Sequence, residues 1–110
     1  MKVSIEPDNN CSAAEPVALQ VLGIDMAPEF PDGCIIIFEQ KTEYQPGMYV
    51  IAEVNGERWF RQYQRDHQGQ AWLVALNPMF PDIPLAGLNW KILGVVTQRN
   101  IKRQVKHYNY

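Results

Sequence analysis

The chain has 110 residues, 46% of them hydrophobic and 20% charged, with a formal net charge of −2. That composition suits one soluble globular domain and excludes a disordered tail, while so small a net charge leaves no broad electrostatic footprint for nucleic acid or an anionic membrane. No window approaches the roughly 18 consecutive apolar residues of a membrane span, and the N-terminus lacks the basic-then-apolar order of a signal peptide, so a cytoplasmic location without membrane partners is expected.

Residues 1–16 are polar, hold two prolines and show little periodicity, which predicts a flexible arm or linker remnant, with the packed domain over 17–98. An apolar run at 17–22 stops at Gly23, and Pro28, Pro31, Asp32 and Gly33 impose turns before a second run at 34–38. Gln45-Pro46-Gly47 is a further turn signal, followed by a strand over 48–54 and by Asn55-Gly56, the strongest short hairpin signal in the chain. The return strand is expected over 58–65. A polar turn at 66–69 leads to a run at 71–76, a proline-rich loop at 77–84 and a final strand at 90–96.

Eight prolines, seven glycines and turn signals about ten residues apart, with no useful helix-period stretch, predict six or seven strands. The expected fold is mainly β: a compact, strongly bent antiparallel sheet, barrel-like in outline. Trp59, Phe60, Tyr63, Trp72 and Trp90 fall on predicted strands, where aromatic side chains serve core or cross-strand packing.

Charge is divided along the chain. Residues 1–57 hold ten acids and two bases, and residues 58–110 hold eight bases and two acids, so the halves carry −8 and +6. Pairing of complementary strands inside one domain is the expected outcome, with a head-to-tail self-association surface as the alternative. The last stretch, 99–110, concentrates Arg99, Lys102, Arg103 and Lys106 with His107, Tyr108 and Tyr110. It reads as a basic tail, solvated, dimer-facing or continuing the last strand, because so short a cluster binds phosphates only weakly by itself. Cys11 and Cys34 make no CxxC, and His67 and His107 have no partner at ligand spacing, so no metal, cofactor or disulfide framework is expected.

The stretch Val21-Leu22-Gly23-Ile24-Asp25-Met26-Ala27-Pro28-Glu29-Phe30-Pro31-Asp32-Gly33 resembles the signature of the LexA, UmuD and phage-repressor family of self-cleaving serine peptidases. Five ordered blocks extend the similarity: Ile35-Ile36-Ile37, then Pro46-Gly47-Met48-Tyr49-Val50, then Gly56-Glu57-Arg58-Trp59-Phe60-Arg61, then Leu76-Asn77-Pro78-Met79-Phe80-Pro81, and finally Ile92-Leu93-Gly94-Val95-Val96. Together they cover residues 18–98 and are specific as a set. The resemblance implies the mostly β fold shared with signal peptidases, dimers, and in repressors a preceding helix-turn-helix.

It also implies a serine nucleophile before Met26 and a lysine base four residues after Glu57. Asp25 and Arg61 stand there instead. A Ser-Lys pair works because a buried lysine sheds its proton and takes one from the hydroxyl. A guanidinium keeps its proton, and a carboxylate has no hydroxyl proton to give. Ser4 and Ser12 are the only serines, and the segment Ser12-Ala13-Ala14-Glu15-Pro16 lacks the Ala-Gly or Cys-Gly bond that active relatives cut. An ion pair between Asp25 and Arg61 is expected at the degenerate site.

The function expected from sequence is therefore a catalytically inactive dimerisation and regulatory module of a phage-type or SOS-like transcriptional repressor. DNA would be reached only through a helix-turn-helix segment outside this chain. A free-standing partner of an intact repressor or polymerase subunit is the alternative. A peptidase with an unrecognised site, for example a carboxylate pair of Asp25 with Asp32, is the second.

Overall fold

The structure, a computed structural model, describes residues 16–41 and 43–110. The arm expected over 1–16, with Cys11 and both serines, lies outside the described residues except for Pro16, which opens the first strand. Eight strands follow in chain order: β1 (Pro16–Gln20), β2 (Ile35–Glu39), β3 (Tyr49–Val54), β4 (Glu57–Arg65), β5 (Ala71–Val74), β6 (Ile83–Pro84), β7 (Trp90–Ile101) and β8 (Gln104–His107). All pairings are antiparallel, in the spatial order β1-β2-β7-β3-β4-β5-β6, with β8 also laid along β7.

The β3–β4 hairpin turns through Asn55 and Gly56, whose φ values of 50° and 84° are the two left-handed residues of a type I′ turn. Asn55 is also tied sideways: its N–H donates to the Asn89 carbonyl at 2.8 Å, and its side-chain oxygen accepts the Asn89 N–H at 3.2 Å.

Two departures raise the strand count above the expected six or seven. Residues 83–84, inside the proline-rich loop, pair with Trp72 and Leu73 of β5. The last strand does not stop at 96 but continues to Ile101, turns over Lys102 and Arg103, and returns as β8. Gln98, Arg99 and Asn100 have little intrinsic preference for strand, so it is pairing on both sides, with β2 and with β8, that makes them one.

β7 is also where the sheet bends. Its register slips against β2 between Ile37 and Phe38 and against β3 between Ile51 and Ala52, leaving Thr97 and Leu93 as extra residues on β7. Such bulges sharpen local twist. Gly94 sits between them, and a Cβ there would lie 2.7 Å from the Glu39 carbonyl and against the Phe38 ring.

The bend gives the domain two hydrophobic clusters. One gathers Val21, Met26, Phe30, Cys34, Ile36, Phe38, Ile51, Phe60 and Val96. The other gathers Val50, Ala52, Val54, Tyr63, Leu73, Leu85, Ile92 and Val95. Because neighbours on a strand face opposite ways, Val50, Ile51 and Ala52 feed the clusters alternately, and β3 is covered on both faces. Of the aromatic residues expected to pack, Phe60 and Tyr63 are fully buried. Trp59, Trp72 and Trp90 are half-buried.

The two charged halves meet inside the domain. Arg61–Asp25, Lys91–Glu53, Arg99–Glu29 and Lys106–Glu29 each join an acid of the first half to a base of the second.

Candidate functional site

Asp25 lies in the loop between β1 and β2. The loop is shaped by its own polar atoms: the Gly33 N–H donates to the Val21 carbonyl at 2.7 Å, and the Gly23 N–H donates to Asp32 Oδ1 at 2.6 Å. Gly23 and Gly33 adopt φ of 110° and 87°, which a side chain would resist. Turn bonds from Ala27 to Ile24 and from Phe30 to Met26 then close the chain around a fully buried Met26. Pro28 follows a cis peptide, and the Pro31 carbonyl accepts the Cys34 N–H at 3.1 Å.

Arg61 comes from the middle of β4, opposite Val50. Glu57 opens the same strand just after Gly56 and is exposed, so it lies at the hairpin end and not beside Asp25. Arg61 Nη2 stands 3.1 Å from Asp25 Oδ2, with side-chain exposures of 3% and 5%. Its Nη1 donates to the Pro81 carbonyl at 3.1 Å, and its guanidinium carbon lies 5.3 Å from the centre of the Trp59 ring. The Nε proton is buried and finds no acceptor among the described residues.

The third wall is the loop after β5. Asn77 reaches across to the Asp25 loop, its Nδ2 donating to the Ile24 carbonyl at 3.0 Å and its N–H to the Asp25 carbonyl at 3.1 Å. Its side-chain oxygen accepts the Met79 N–H, rounding the chain over the exposed Pro78. Asp82 accepts the Ala75 N–H at 3.2 Å and adds negative potential at Arg61.

Burial pushes the Arg61 guanidinium below its ordinary value, and the charges of Asp25 and Asp82 push it back up. A guanidinium is in any case never deprotonated in a folded protein. The geometry therefore holds one fixed cation against the buried Asp25 carboxylate, and that cation cannot act as a base. The two loops around the pair expose Leu22, Ile24 and Met79.

Asp32 is exposed and its Oδ1 accepts the Gly23 N–H, whereas Asp25 is buried against Arg61. Among the described residues no group of three or more His, Cys, Asp or Glu is placed to hold a metal ion. Cys34 is a free, buried thiol, pushed up chiefly by burial.

Sequence reasoning missed Trp59, Pro81 and Asp82 as neighbours of Arg61. Asp82 carried a signal: it is the last acid in the chain and sits between prolines in an otherwise apolar loop.

The arrangement of strands and loops around Asp25 and Arg61 coincides with the ordered sequence blocks, and residues 2–97 match the peptidase S24-like family. The chain belongs to the peptidase S24-like family. It is 35% identical over 88 residues to the HTH-type transcriptional regulator for conjugative element R391 of Providencia rettgeri, and equally to that for conjugative element SXT of Vibrio cholerae. The regulator for conjugative element pMERPH of Shewanella putrefaciens matches to the same extent. Each alignment covers 74% of this chain and 40% of the relative. This S24 chain thus has a LexA-like, all-β architecture. Among its described residues no helix is long and apolar enough to cross a membrane.

Proposed function

We propose that this S24 domain is a non-cleaving module that brings two copies of a transcriptional repressor together. The observation that carries the reading is the buried Asp25–Arg61 pair, at the two positions where the sequence resemblance implies serine and lysine. Covalent cleavage of a peptide bond needs a nucleophile with a removable proton and a base to remove it. Here the carboxylate is neutralised by a guanidinium that cannot act as base, and the pair is shut away from water.

The relatives, named as HTH-type regulators, support a role in transcription. Pairing two copies raises the effective concentration of a linked DNA reader at paired half-sites, a task that needs no catalytic dyad. Leu22, Ile24 and Met79, exposed on the loops around the closed pair, suit a contact surface better than a substrate cleft.

Sedimentation equilibrium over a wide concentration range tests the pairing, and intact mass after prolonged incubation tests the lack of self-cleavage. The expected results are a concentration-dependent dimer and an unchanged mass. A strict monomer overturns self-association and leaves binding to an intact repressor or polymerase subunit as the role. Loss of a discrete N-terminal fragment, abolished by Asp25→Ala, overturns inactivity.

A further inference from the structure

The C-terminal segment is fastened to the loop that carries Asp25 by one side chain. Glu29 lies four residues after Asp25, and its Oε1 receives Lys106 Nζ at 2.6 Å, the Tyr108 hydroxyl at 2.9 Å and Arg99 Nη1 at 3.2 Å. Arg99 Nη1 donates to the main-chain carbonyl of the same residue as well. Three positions, one each on β7, β8 and the segment beyond, thereby converge on one carboxylate.

The next residue repeats the connection in apolar form. Phe30 is fully buried, packs edge-on against Tyr49 and Phe60, each at 4.8 Å between ring centres, and meets the Tyr108 ring in a tilted arrangement at 5.4 Å. Tyr108 also donates its N–H to the Thr97 carbonyl at 2.8 Å, and the Tyr110 hydroxyl donates to the Val96 carbonyl. Apart from these contacts the returning strand has little to hold it. All four residues of β8 are exposed, and among the described residues its only strand neighbour is β7. Its turn also places two non-glycine residues, Lys102 and Arg103, at φ of 47° and 70°.

A strand with an exposed face and an unfavourable turn is weakly self-supporting, so its position rests on what fastens it at the far end. We infer that Glu29 is a latch that makes the strap of β8 and residues 108–110 one cooperative unit with the Asp25 loop, so that lifting the strap loosens the loop. A partner that competes for Glu29, or for Arg99 and Lys106, would then alter the surface around the candidate site without touching Asp25 or Arg61. The inference does not depend on whether the domain cleaves or dimerises.

Amide hydrogen exchange of the whole chain, wild type against Glu29→Gln, tests it. Glutamine keeps the shape and removes the charge. The expected result is exchange faster by tenfold or more in β8 and, together with it, at the amides of Ala27 and Phe30, with the β3–β4 ladder unchanged. Tyr108→Phe, which removes only one hydroxyl, is expected to shift the same two segments by a smaller factor. Loosening of β8 while Ala27 and Phe30 stay protected overturns the coupling, and no change in either overturns the latch. If Glu29→Gln weakens the β3–β4 ladder too, Lys106→Met, which leaves Arg99 on the carboxylate, is read by the same two segments and the same criteria.

Discussion

Arg61 and Asp25 form a sealed ion pair, 3.1 Å apart, between the middle of β4 and the loop that precedes β2. Removing either partner strands a charge in a space that water does not reach. Asp25→Ala is expected to destabilise the domain by about 3–5 kcal/mol, whereas Asp25→Leu combined with Arg61→Met is expected to recover most of that loss. Denaturant midpoints of the three proteins give the comparison. A single variant as stable as the wild type would show that the pair carries no structural weight.

Gly94 meets a different constraint, one of space. A methyl group there would press on the Glu39 carbonyl and the Phe38 ring where β7 is doubly bulged. Backbone on one side and a buried ring on the other leave little room to yield. Gly94→Ala is expected to lower stability by about 1–3 kcal/mol, despite the better strand propensity of alanine. Thermal melts would show it as a lowered Tm with no change of fold by circular dichroism.

The opposite sign is expected at the β7–β8 turn. Lys102 and Arg103 occupy the left-handed region that a two-residue hairpin demands and that Asn-Gly adopts with far less strain. Neither residue joins an ion pair of the Glu29 group. The double change Lys102→Asn with Arg103→Gly is expected to stabilise the hairpin by about 1 kcal/mol. Slower exchange of the β8 amides is the direct reading, and an unchanged or faster rate would mean that the turn is not what limits the hairpin.

Glu29 should give the stability curve a recognisable acid limb. The hydrogen bond from Lys106 holds its carboxyl below the ordinary 4.5, burial opposes this, and the Tyr108 hydroxyl and the charges of Lys106 and Arg99 reinforce it. A carboxylate depressed by folding contributes its full stabilisation above the unfolded value and loses it as the pH falls through the depressed one. Wild-type Tm is therefore expected to fall more steeply than that of Glu29→Gln as acid is added below about pH 4.5. Parallel curves would mean that the carboxylate gains nothing from its three partners.

Much of this architecture was legible in the sequence, and the reasons differ by region. Short apolar runs between proline and glycine turns located β1 to β5 to within a few residues, and Asn55-Gly56 announced its hairpin. At the far end of β7 the sequence left open whether the basic tail continues the last strand, because Gln98, Arg99 and Asn100 become strand only through neighbours that composition does not display. The candidate site divides in the same way. Asp25 and Arg61 stood out from ordered motif blocks, while the carbonyl of Pro81, the ring of Trp59 and the reach of Asn77 to Ile24 depend on how separate loops fold over one another. Glu29 is one of ten acids in the first half, and its three partners lie about seventy or more residues away, beyond the reach of local sequence pattern.

The alternation along Val50, Ile51 and Ala52 has a bearing on how this domain can change over evolutionary time. Because one short strand lines both hydrophobic clusters, neither half of the protein encloses a complete interior of its own. The two halves are therefore expected to melt together, and a deletion that removes one cluster exposes the other. The buried carboxylate of Asp25 and guanidinium of Arg61 belong to that shared interior, so a change at either is felt on both sides of the sheet.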